Sequence, residues 1–322
     1  MTQQPAILVI AAALVLAAGA QQTSTSAKSD STTAAALSVE TITAELIASD
    51  KSWGNTEGAQ IDSRNNLYFC SRGTYKGIVT WNEKEGAKPW LAIATKEGPG
   101  GLWVDEADNI YVTATGERQI LKVTPDKKIF VIAEKFEADP KLPKGPNDLV
   151  VAKNGTIYFT DPNGFYGDAP NGTVYRISSG KTAVFSDAVT GPNGIILSKD
   201  EKTLYVSGNT AKSTSKIVRW PLQEDGSAGP MSEVATIPDC VADGIALDRE
   251  GSLWLTCYSY GTAYRVSQKG KIQQKIITGQ KAITNCKFGR GSQSNLLYLT
   301  SSDMERVTGY IYRAKLAAPG IR

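Results

Sequence analysis

Glu57, Asn147, Asn193, Asp243 and Asn285 each offer a side-chain oxygen, and each opens one copy of a phrase that recurs six times along this 322-residue chain. The remaining copy opens on Gly100, and successive starts are 43, 47, 46, 50 and 42 residues apart. If the copies are related by rotation, one position of each lies at one distance from the axis, and these five oxygens converge on it. Two carboxylates and up to three carboxamides form an oxygen-only donor set that suits Ca²⁺ first, with Mg²⁺, Mn²⁺ or Zn²⁺ as substitutes. Without a cation the two carboxylates repel, and one of them holds a proton. A lone Asn or Asp at a strand start usually caps a turn; five in register point to a metal site. Asn285 stands in the most irregular copy, where Cys286 replaces the usual Gly.

The phrase itself is a pair of strands. A short apolar run is followed by a turn of Asp, Asn, Lys and Gly, then by a second run centred on Tyr68, Tyr111, Tyr158, Tyr205, Trp254 or Tyr298. These aromatics are expected to fill space between blades. Asn65-Asn66, Asn154-Gly155, Asp200-Glu201-Lys202 and Glu250-Gly251 supply hairpin turns that need positive φ. Asp62, Asp105 and Asp248 read as turn residues. Alternating runs such as Gln119–Val123 and Gly172–Ile177 add outer strands. A period of 40–50 residues built this way marks a β-propeller, so the fold expected is all-β, with six four-stranded antiparallel blades. Only one clear strand, Thr308–Arg313, follows the last copy, and Thr41–Ala48 has no blade of its own. The N-terminal strand should therefore close the sixth blade and remove a free edge. The longer links 136–146 and 163–170 should cross one face of the ring, with Asp161 at the pocket rim as a candidate substrate contact.

Composition narrows the chemistry. The net charge is only +3, without a basic cluster, so a nucleic-acid partner has no electrostatic support. The chain contains no histidine, which excludes Ser-His-Asp and Cys-His machinery and imidazole zinc sites. Acid–base work falls to carboxylates, Lys, Tyr or Cys. Ala6–Ala20 is a 15-residue apolar stretch ending Ala18-Gly19-Ala20, too short for a comfortable span and patterned like a cleaved export signal. The expected layout is a signal over 1–20, a disordered Ser/Thr-rich spacer over 21–40 and the propeller over 41–322. The mature protein would be periplasmic or secreted, without stable membrane insertion. An exported protein can carry a disulfide. Cys240 and Cys257 fall at one end of two neighbouring hairpin strands, so they are the best-placed pair; the alternative is four small buried apolar residues.

In this order the phrases resemble the senescence marker protein / gluconolactonase / luciferin-regenerating enzyme family, over roughly Glu57 to Ser302. The resemblance rests on Glu57-Gly58, Gly145-Pro146-Asn147-Asp148 with Tyr158–Pro162, Gly191-Pro192-Asn193-Gly194, Ala242–Asp248 with Gly251–Trp254, and Thr284–Gly289. It implies a six-bladed propeller with one divalent cation in the central channel, held by Glu57, Asn193 and Asp243. It also implies that Asp243 is the general base and that Asn147 reaches substrate or a metal-bound water. Animal members carry an Arg where this chain has Gly145. The function expected is metal-dependent hydrolysis of a small lactone, with Asn147, Asn285 and Asp161 near the substrate. Two alternatives are a non-catalytic ligand-binding or scaffold propeller and a related propeller esterase; the paraoxonase type of the latter leans on histidine.

Overall fold

The computed structural model describes residues 39–134, 145–164, 167, 169–211 and 214–321. The expected signal, nearly all of the spacer and most of the two cross-face links lie outside the described residues. The described residues build six sheets, each with four antiparallel strands read outward from an inner strand: Thr56–Ile61, Leu102–Val104, Leu149–Val151, Ile195–Leu197, Val241–Leu247 and Ala282–Phe288. These are the six copies in order. The fold is the expected six-bladed β-propeller. Among the described residues the only helical element is one turn at Gly291–Gln293.

Local sequence explains the hairpins. Asn65, Gly155, Glu201 and Gly251 adopt positive φ at the tips between first and second strands. Asp62, Asp105 and Asp248 brace those turns, each Oδ1 accepting from two backbone N–H groups at 2.8–3.0 Å. The recurring aromatics are all buried, Trp254 completely, and fill space in and between the blades. The Gly after the axial residue recurs because the next inner strand passes against it. A Cβ on Gly101 would sit 2.5 Å from Asp148 Oδ1, and one on Gly194 would sit 2.4 Å from the Asp243 carbonyl oxygen.

The N-terminal segment closes the ring, and it does more than expected. Glu45–Asp50 pairs antiparallel with Gly309–Lys315 and completes blade six. Glu40–Thr43 departs from the single strand expected over Thr41–Ala48: it adds to blade five as a fifth strand, parallel to Ile272–Ile277. Ala44, nearly buried between the two pieces, donates its N–H to the Ile277 carbonyl at 2.9 Å. The first strand among the described residues begins at Glu40, the last position of the expected spacer.

Candidate active site

All six blades contribute to a cavity of about 260 Å³ at the ring's axis, whose lining includes Glu57, Asn147, Asn193 and Asp243. Glu57 and Asp243 reach it because their inner strands are irregular there. Glu57 is the last residue paired, with Cys70, before the register skips Gly58 and Ala59, and Asp243 is itself skipped with Gly244 between Ala242 and Ile245, so both stand at a bulge in the ladder. Asn147 and Asn193 sit just before their inner strands. Each backbone N–H is fixed to the second strand of its own blade, at Thr160 O (2.7 Å) and Ser207 O (2.8 Å).

The side chains are oriented by one another. Asn147 Nδ2 donates to Asn193 Oδ1 at 2.7 Å, and Asn193 Nδ2 reaches the Ala242 carbonyl at 3.4 Å. Asn55 Nδ2 donates to Glu57 Oε1 at 3.3 Å. Ala242, immediately before Asp243, is gripped by the fully buried Asn209. That side chain accepts from Ala242 N–H at 2.7 Å and donates to its carbonyl at 3.1 Å. The Cys240–Cys257 disulfide closes the same end of the hairpin, joining the two cysteines best placed by the sequence. Cys70 and Cys286 are buried free thiols.

Electrostatics at the axis are unfavourable for the bare carboxylates. Desolvation, above all, raises Glu57 to about 7, with Asp148 adding to the rise and Arg72 opposing it. Desolvation likewise pushes Asp243 well above the ordinary carboxylate range, reinforced by the charges of Glu57 and Asp148. Two buried carboxylates that resist ionising side by side are what a bound cation would relieve. The carboxamide oxygen of Asn193 has a second lone pair to offer beyond its bond to Asn147. Sulfur and imidazole are absent from the set. The donors therefore fit a hard divalent cation. Among the described residues no three His, Cys, Asp or Glu side chains form a metal-binding group, so an ion held here would need carboxamides among its ligands.

Asn285 and Asp161 do not line the cavity. Asn285 is buried and committed elsewhere: its Nδ2 donates to Asp148 Oδ2 at 3.1 Å and its Oδ1 accepts from Cys286 N–H at 2.8 Å. Asp161 is buried under the rim beside Arg118 (3.9 Å), while its neighbour Pro162 meets the cavity. Sequence reasoning missed Asp148, raised to about 6 mainly by desolvation and partly steadied by Leu149 N–H, Asn285 and Lys287. Its signal was an acidic residue in a slot that holds Gly in four of the six copies. Also missed were Arg72, Glu97, Tyr258 and Arg306, which wall the cavity from the links and strand ends outside the repeated phrase.

This is a six-bladed propeller whose axis gathers carboxylates and carboxamides around one small cavity. A family model described as SMP-30/Gluconolactonase/LRE-like region matches residues 55–303, and the chain belongs to that family. A gluconolactonase of Zymomonas mobilis is 28% identical over 307 residues, covering 83% of this chain and 81% of that protein. A gluconolactonase structure from Xanthomonas campestris superposes with a TM-score of 0.67 at 25% identity, covering 82% of this chain and 87% of that one. The calcium-binding regucalcin of Agrobacterium tumefaciens shares the fold, with a TM-score of 0.70 at 17% identity over 88% of this chain and 97% of that one.

Proposed function

We propose that this chain is an exported, divalent-metal-dependent lactonase, with Ca²⁺ the ion its donors suit best. The observation that carries this reading is the meeting of buried Glu57 and Asp243 with Asn193 and Asn147 on one cavity. The gluconolactonase relatives supply the reaction class, and the disulfide fits an oxidising compartment. Glu57, Asn193 and Asp243 would hold the ion. When bound, it supplies Lewis-acid polarisation of the lactone carbonyl and charge stabilisation for the oxyanion. Asp243 takes the proton of the attacking water on its carboxylate, which burial makes more basic than an exposed aspartate. Asn147, anchored through its Nδ2, orients the water or the substrate. A cavity of about 260 Å³ suits a small ring.

The test is proton release from a panel of γ- and δ-lactones, using protein stripped by chelator and reloaded with Ca²⁺, Mg²⁺, Mn²⁺ or Zn²⁺. Turnover should vanish on stripping and return on reloading. Asp243→Asn should lose at least about a hundredfold in kcat, as removal of a general base commonly does. Unchanged turnover in chelator, or an Asp243→Asn enzyme as active as wild type, would refute the reading.

A further inference from the structure

Arg306 is the one cavity-lining guanidinium that forms no ion pair among the described residues. The other, Arg72, is held by Glu97, with Nε on the backbone carbonyl at 3.1 Å and an Nη on the carboxylate at 3.2 Å. Arg306 is nonetheless carefully placed. It lies in the link between Leu296–Ser302 and Gly309–Lys315 and adopts a left-handed backbone (φ 59°) that a non-glycine residue takes at some cost. Asp303 imposes that turn. Its carbonyl accepts from Arg306 N–H at 3.0 Å, and its carboxylate accepts from Val307 and Thr308 N–H at 2.8 Å each. At the other end Arg306 Nε donates to the Tyr258 hydroxyl at 3.1 Å, with the guanidinium 5.6 Å from the centre of that ring. A strained turn and an aromatic rest thus hold one cation at the cavity mouth.

The fields of Glu57 and Asp243 reach that guanidinium and favour its charge, although burial opposes it. A divalent cation on those carboxylates would cancel this attraction. The described lining carries three carboxylates and two guanidiniums, so loading the ion leaves one positive charge over, and Arg306 is where it stands. An electropositive mouth with a directed, hydrogen-bonding guanidinium selects for an anion.

We infer that the preferred substrate is a lactone bearing an ionised substituent, a carboxylate or phosphate, which Arg306 receives at the mouth while the ring carbonyl faces the axis. This rests on the lactonase reading and names the class of lactone. Arg306 is exposed enough to be replaced without unfolding the ring.

The experiment compares the γ-lactones of D-gluconic and D-glucaric acid, which share one ring and differ in a terminal hydroxymethyl group against a carboxylate. The Ca²⁺-loaded wild type should favour the glucaric lactone by about tenfold in kcat/KM, through KM, as a charge-assisted contact provides. Added salt should shrink the preference. Arg306→Gln should bring the ratio close to one, and Arg306→Lys should restore part of it. Calorimetric binding of D-glucarate against D-gluconate supplies an arm independent of turnover, and the same Arg306 dependence is expected there. Equal ratios in wild type and Arg306→Gln, or a wild type that prefers the neutral lactone and binds both acids alike, would overturn the proposal. Failure of both lactones with the binding preference intact would count against the lactonase reading and leave the anion preference standing.

Discussion

Stripping the metal should make this protein less stable as pH rises through neutrality, the reverse of ordinary acid unfolding. Glu57 has an ordinary value of 4.5 and is lifted to about 7 in the fold. Between those values the folded state holds a proton that the unfolded chain has released, so stability falls with rising pH. The contribution is fully present below 4.5 and is lost as pH passes 7. The gap converts to about 3 kcal/mol, at about 1.4 kcal/mol per pH unit. Asp243 and Asp148 act with the same sign, since both are raised from 3.8, Asp148 to about 6. For a domain of this size about 3 kcal/mol amounts to roughly 6–10 °C in Tm. Thermal unfolding in chelator, followed by circular dichroism from about pH 5 to about pH 8, should show Tm falling over that span. Saturating Ca²⁺ should oppose the fall, because the ion binds the deprotonated carboxylates and stabilises most where they are ionised. Glu57→Gln isolates its share: it should make the chelator profile shallower, leaving the part due to Asp243 and Asp148, and melt above wild type at the alkaline end, yet gain little from Ca²⁺. A stripped wild type equally stable across the range, or a Glu57→Gln protein with the wild-type profile, would refute the assignment of these two carboxylates to one buried site.

Two further outcomes follow from the support around Asp243. Reducing the Cys240–Cys257 bond, which spans 17 residues, should cost about 3 kcal/mol by loop entropy and lower Tm by several degrees in a melt with dithiothreitol; the Cys240→Ala/Cys257→Ala double variant should no longer respond to the reductant. Asn209→Ala should cost about 2–4 kcal/mol, because it leaves the polar groups of Ala242 and Ser215 short of partners. It should also weaken Ca²⁺ binding by about tenfold in a calorimetric titration; unaltered affinity would show that its grip on Ala242 does not set the Asp243 carboxylate.

Repetition made some of the molecule legible and hid the rest. The blade count, the hairpin tips and the axial positions could be read because each recurs, and rotation carries a recurring position to one place. Asp148 was hidden because the same logic treats the position after the axial residue as a glycine slot. Only the structure brings its carboxylate against Asn285 across the channel, where it draws that amide away from the cavity. Arg72 escaped because it ends its strand one residue past the repeated phrase, and Glu97 and Arg306 because they stand on connections whose lengths differ from blade to blade, where register carries no information. The division of the N-terminal segment between blades five and six was equally invisible. TITAELIA reads as one alternating run, with no Gly or Pro to mark the change of partner at Ala44.

Closing the ring and setting the site are the same structural problem. A hydroxyl on the second strand of one blade holds the backbone carbonyl of the next axial residue. Thr113 donates to Asn147 O (2.7 Å), Thr160 to Asn193 O (2.6 Å) and Ser207 to Asp243 O (2.9 Å). Each of these three axial residues is therefore positioned by the blade before it, and the chain of bonds is only as firm as its return from blade six to blade one. There Thr284 Oγ1 donates to Thr56 O at 2.7 Å, and Thr56 Oγ1 donates to Ser301 O at 2.7 Å. Thr56 is the residue beside Glu57, so any loosening where the ends of the chain meet reaches a proposed metal ligand first. The strand Glu45–Asp50 covers the outer edge of the very blade that makes this joint. That placement gives the N-terminal segment a functional reason to be folded in: the proposed ion at the axis would need a carboxylate that only a closed ring can hold still.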